Sequence, residues 1–185
     1  MYTTSDFRRG LRILFQGTPY EIVEFEHHKP GKGAAIVRTR LKNLITGLTI
    51  DPTFRSGDKV DVPDLNEREV QFLYRADHIF HFMDPSSYDQ FEVPLNVLGD
   101  AVNFIIEGMT VSLLFYQGKA VNIEIPNSVV LEVVECDPAV RGDTVSGATK
   151  PAKFQTGYSC QVPLFINEGN KIKVDTRTGQ YIERA

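Results

Sequence analysis

The chain has 185 residues, 42% of them hydrophobic and 24% charged, with a formal net charge of −4. That composition belongs to a globular chain: no apolar run approaches the ~20 residues of a membrane helix, and no overall basic surplus marks a protein that coats nucleic acid. Cys136 and Cys160 are the only cysteines and form no CxxC pair, which argues against a disulfide framework and a zinc site and predicts buried, reduced thiols.

In chain order, short β-type runs alternate with turn residues, the pattern of small barrels or sandwiches. Met1-Tyr2-Thr3-Thr4-Ser5-Asp6-Phe7 holds no apolar signal core, so export is not expected and a cytoplasmic location is. Leu11–Phe15, the turn Gln16-Gly17-Thr18 and Pro19–Phe25 read as a hairpin. Ala34–Lys42, Leu48–Phe54 and Lys59–Val62 follow as strands, and Pro63-Asp64 breaks the pattern. Glu67–Tyr74, His78–Met83 and Phe91–Pro94 are the next strands. Val97, Leu98, Ala101, Val102 and Ile105 recur at helical spacing, which predicts a helix over Leu95–Phe104. Val111–Tyr116, Gln117-Gly118 and Ala120–Ile125 form another hairpin before Pro126-Asn127. Strands are expected over Ser128–Cys136, Gly157–Phe165, Lys171–Asp175 and Gln180–Glu183, with a polar loop at 141–153. The expectation is an all-β chain of three modules, 1–64, 65–127 and 128–185, the second and third suited to the five-stranded OB-fold.

Charge is uneven along those modules. Residues 1–65 carry net +2, residues 66–127 net −6 and residues 128–185 net 0. RNA contact, if any, would then be local, on loops at the two ends.

No enzymatic constellation emerges. His27 and His28 are strand neighbours pointing to opposite faces, as are His78 and His81, so neither pair suits a shared metal ion. The carboxylates are scattered, and there is no P-loop or GxSxG. Neither a catalytic residue nor a cofactor is expected. Phe72, Tyr74, Phe80 and Phe82 are candidates for stacking bases, although their alternation favours core packing. Arg141-Gly142-Asp143 reads as a polar turn or an RNA-contacting one. The informative segment is Lys29-Pro30-Gly31-Lys32-Gly33 between two strands: proline stiffens it, glycines allow close approach, and Lys32 projects with little bulk around it.

An ordered series of stretches resembles the bacterial elongation factor P family along nearly the whole chain. Asp6-Phe7-Arg8-Arg9-Gly10, Lys29-Pro30-Gly31-Lys32-Gly33, Leu44-Ile45-Thr46-Gly47 and Thr53-Phe54-Arg55-Ser56 resemble its first module. Glu135-Cys136-Asp137-Pro138, Arg141-Gly142-Asp143-Thr144, Lys150-Pro151-Ala152, Thr156-Gly157, Val162-Pro163-Leu164-Phe165 and Lys171–Gly179 resemble its third. The resemblance implies a KOW/SH3-like domain followed by two OB-fold domains in an L-shaped, tRNA-like arrangement. It implies a monomeric, non-enzymatic factor that binds the 70S ribosome and its rRNA between the P and E sites and relieves stalling at consecutive prolines. Lys29, Pro30, Gly31, Lys32 and Gly33 would contact the CCA end of the P-site tRNA. Arg141, Gly142, Asp143 and Thr144 would approach the E-site codon on the small subunit. Lys32 would be the position of post-translational modification by a lysine-modifying enzyme, with β-lysyl, aminopentanol and no group all open. A general single-stranded-RNA-binding OB protein is the alternative.

Overall fold

A computed structural model describes residues 1–139 and 147–185. About 54% of the chain is strand and 7% helix, so the all-β expectation holds. The chain divides into two compact units: Met1–Glu67 with Leu114–Asn122, and Arg68–Leu113 with Ile123–Ala185.

The first sheet runs β2 (Arg12–Phe15), β3 (Thr18–His28), β4 (Ile36–Asn43), β5 (Thr49–Ile50), with β6 (Thr53–Arg55) also paired to β4. β1 (Tyr2–Thr3) pairs antiparallel with β7 (Lys59–Val60), and the Leu14 N–H donates to the Asp61 carbonyl at 2.8 Å. The expected single strand Leu48–Phe54 is therefore two, broken at Asp51-Pro52. The break is used: the Pro52 carbonyl accepts both the backbone N–H (3.1 Å) and the hydroxyl (2.7 Å) of Thr39. Alternate residues of β4, Val37, Thr39 and Leu41, point into a core with Ile13, Ile22 and Phe54. Phe54 meets Phe7 and Phe15 edge-on at 5.3 and 5.4 Å.

The next sheet has the order β10 (Gln90–Pro94), β9 (Ile79–Met83), β8 (Leu65–Ala76), β11 (Thr110–Tyr116), β12 (Lys119–Glu124). Phe72, Phe80 and Phe82 are buried in it, whereas Tyr74 is exposed and stacks on His81 with centroids 4.4 Å apart. A bulge between Phe72 and Tyr74 sets that difference, because it shifts the register of β8 against β9. The predicted helix is shorter than expected. α1 covers only Leu95–Leu98, and a 3-10 turn follows at Gly99–Asn103. Gly99, at φ 53 and ψ −133, interrupts the helical backbone.

The last sheet has the order β15 (Ser159–Pro163), β14 (Thr149–Phe154), β13 (Ser128–Cys136), β16 (Lys171–Asp175), β17 (Tyr181–Arg184). It follows the same path through the strands as the preceding sheet. β14 corrects the sequence expectation of a polar loop through residue 153. Its alternation is complete, with Lys150, Ala152 and Phe154 buried and Thr149, Pro151 and Lys153 exposed. A lysine in an apolar position hid the pattern. Phe104, from the segment before β11, is 4% exposed and belongs to the same core as Leu131, Phe154 and Ile172. Its ring lies 5.1 Å from that of Tyr158, and the Thr156 hydroxyl donates to the Asn103 carbonyl at 2.7 Å. Cys136 and Cys160 are free and half-buried rather than fully buried.

Candidate functional site

β3 and β4 form a long antiparallel arm. Their last paired rung is His28 opposite Ile36, and residues 29–35 form the loop beyond it. β3 continues six residues past the fully buried Ile22 to His28, about 20 Å at strand rise. The arm is braced from one side. β6 pairs Arg55 with Ile36, Phe54 with Val37 and Thr53 with Arg38. The Ser56 N–H then donates to the Ala35 carbonyl at 2.9 Å, so the returning limb of the loop is held to within two residues of Gly33.

All five predicted loop residues lie in this one segment. Lys29, Gly31, Lys32 and Gly33 are exposed and Pro30 is half-buried. Gly33 has φ +119, a backbone that L side chains rarely adopt, and its missing Cβ would sit 3.7 Å from Cγ of Pro30. Gly31 has no such φ and open space around it. Proline, glycine and the Ser56 anchor together limit the loop to a narrow turn with the Lys32 amine in solvent. Among the described residues Lys32 makes no ion pair or side-chain hydrogen bond.

Below the loop, charges of opposite sign face one another across the arm. Glu21 faces Lys42, Glu24 faces Arg40 and Glu26 faces Arg38 across the two strands. Arg40 reaches Glu24 at 3.4 Å and Asp51 at 3.0 Å, and the hydrogen bond it donates to Asp51 raises the guanidinium's pKa. Glu24, Glu26, Arg38, Arg40 and Asp51 line a shallow groove of about 370 Å³ together with Arg9, Phe25 and Thr39.

Arg141, Gly142, Asp143 and Thr144 lie outside the described residues. The strands flanking them belong to the other compact unit from the lysine loop. On that side Lys150 escaped sequence reasoning as a residue of interest. It is 6% exposed, and its ammonium donates to the Asp137 carbonyl at 2.6 Å. Its spacing of two from Ala152 and four from Phe154 was the available signal. Among the described residues no three His, Cys, Asp or Glu side chains are grouped to hold a metal ion, and no helix is long and apolar enough to cross a membrane.

Three family models match the chain: the elongation factor P KOW-like domain over residues 3–60, the elongation factor P OB domain over 65–123, and the elongation factor P C-terminal domain over 129–184. The chain is 52% identical to elongation factor P of Desulfovibrio desulfuricans and 53% identical to that of Maridesulfovibrio salexigens. It is covered completely in both cases, with 100% and 99% of those proteins covered. The chain belongs to the elongation factor P family. That family is one of translation elongation factors and not of enzymes. Among solved structures, eukaryotic translation initiation factor 5A from Methanococcus jannaschii shares the fold over 66% of this chain and 94% of its own, with a TM-score of 0.54 at 23% identity.

Proposed function

We propose that this elongation factor P family member binds the ribosome between the P and E sites and accelerates peptide bond formation where consecutive prolines stall it. The observation that carries the reading is the Lys32 amine, exposed and, among the described residues, unpaired at the tip of an arm braced on three strands. Proline is a poor acceptor and restricts the nascent chain, so the reaction suffers from disorder of the donor end rather than from missing bond chemistry. A cation held at a defined place beside the CCA end lowers that barrier by orientation. The contact positions the tRNA backbone and reads no sequence. Modification would lengthen the reach of Lys32, and a lysine-modifying enzyme would be a further partner.

In this reading residues 1–64 place the loop, residues 65–127 form a central OB body, and residues 128–185 carry the small-subunit contact through Arg141, Gly142, Asp143 and Thr144. The factor works as a monomer in the cytoplasm, away from membranes. The burial of Phe72, Phe80 and Phe82 removes three of the four aromatics that a general single-stranded-RNA binder would use for stacking.

Synthesis of a proline-run reporter, with and without the protein, tests the reading. Relief of stalling by the native chain and none by Lys32→Ala is expected. Equal synthesis with both overturns the assignment of Lys32.

A further inference from the structure

The charge compensation along the arm stops at a definite rung. Below it, each cation of β4 faces a glutamate of β3. Beyond Glu26 the sequence holds no carboxylate from His27 through Val37, and none from Pro52 through Gly57 on the bracing side. The foot of the loop is therefore a different electrostatic surface from the shaft.

The register fixes what stands there. His28, Ile36 and Arg55 are directly paired across β3, β4 and β6, and so share one face of the sheet. This is the same face as Glu26, Arg38 and Thr53 one rung lower, since residues two apart on a strand point the same way. His28 and Arg55 are exposed and flank the half-buried Ile36. At the usual spacing of strands their backbones stand roughly 10 Å apart. Asp58 lies three residues beyond Arg55, but its Oδ2 accepts the Arg55 backbone N–H at 2.8 Å, and among the described residues the guanidinium is in no ion pair. Arg40, by contrast, is bound on both sides by Glu24 and Asp51.

We propose that Arg55, on the rung of His28 and Ile36 at the foot of the lysine loop, is a second RNA-contacting residue that binds a backbone phosphate beside the one approached by Lys32. The proposal rests on the ribosomal reading above and adds to it a named contact. An exposed guanidinium, with no carboxylate on its own rung of the sheet and held on a strand paired into the arm, suits a phosphate by both charge and fork geometry. Two cations at fixed separation, one on the loop and one on its root, would also set the direction from which the arm meets RNA. The compensated shaft would leave the remainder of that face without pull on phosphates.

The test measures affinity of the full-length protein for 70S ribosomes carrying peptidyl-tRNA across a range of salt concentrations, with melting midpoints recorded for each variant. Loss of one phosphate contact lowers the slope of log affinity against log salt by roughly 0.7 to 0.9. Arg55→Gln should show that drop, with affinity several-fold weaker at low salt and an unchanged melting midpoint. Arg55→Lys should keep the slope, and Arg40→Gln should match the native slope. An Arg55→Gln protein with the native slope and affinity overturns the proposal. Weaker binding with an unchanged slope and a lowered midpoint assigns Arg55 to the fold and overturns it as well. If the native protein fails to bind, the ribosomal reading falls first and this contact with it, whereas native binding with an indifferent Arg55→Gln removes this contact alone.

Discussion

The ammonium of Lys150 stands 2.6 Å from the carbonyl oxygen of Asp137, and the lysine itself is 6% exposed. The pair ties the end of β13 to the start of β14 on either side of the segment that carries Arg141, Gly142, Asp143 and Thr144. Among the described residues this hydrogen bond is the ammonium's only partner. Burial of the charge therefore works against its gain in hydrogen bonding, and most of the side chain's worth lies in its packed methylene stem.

Two substitutions at Lys150 should differ accordingly. Lys150→Ala removes the stem and leaves a void, at a cost of about 2–4 kcal/mol. Lys150→Met keeps the volume and drops the buried charge, and Asp137 is exposed enough for water to replace the lost donor. Its cost should stay below about 1.5 kcal/mol. Urea denaturation of both variants checks the order, and a methionine variant as unstable as the alanine one contradicts it.

At the loop tip, stability and function should separate. Lys32→Ala deletes an exposed side chain and should change stability by no more than about 0.5 kcal/mol, while abolishing relief of proline stalling. Lys29→Ala should weaken that relief less. Gly33→Ala forces a β-carbon onto a backbone at φ +119 and should cost about 1–2 kcal/mol. Gly31→Ala, in open space with an ordinary φ, should be neutral for folding. Thermal melts run beside the reporter assay distinguish these outcomes.

Phe104 should behave as a core residue of the last sheet, although it precedes β11 in the chain. Its ring packs with Tyr158, and Phe104→Ala should cost about 3–5 kcal/mol. Because the same segment hydrogen-bonds Thr156 through Asn103, the loss should appear in hydrogen exchange of both β11 and β14. Loosening confined to β11 would show that the two sheets are not coupled through this ring.

Acid should weaken the turn after β16. The side chain of Arg177 donates to Asp175 at 3.2 and 3.4 Å, and the backbone N–H of Arg177 adds a bond of 2.8 Å. The arginine hydrogen bond, first, and the backbone bonds hold the Asp175 carboxyl below the ordinary aspartate value of 3.8. A carboxylate depressed on folding contributes stability above its unfolded pKa and loses it as pH falls through the folded one. The Asp175 contribution should thus be complete near neutrality and fade below about pH 4. Asp175→Asn should be less stable than the native chain at pH 7, with the gap closing toward pH 3 in denaturation series.

The sequence by itself determined the β class, the hairpin turn within Gln16-Gly17-Thr18 and the narrow lysine loop, because each depends on neighbours a few residues apart. Alternation, a proline that stiffens and a glycine that permits positive φ are local properties, and they also carry the family resemblance. Tertiary structure decided what depends on partners distant in the chain. A bulge opposite β9 leaves Tyr74 outside while Phe72, Phe80 and Phe82 go in. Pairing with β13 and β15 makes a strand of Thr149–Phe154, where composition reads as loop through residue 153. Phe104 joins the core of the following sheet, and Arg55 comes level with His28 through β4. Strand register and burial are set by contacts across tens of residues, and no local periodicity encodes which strand will lie alongside.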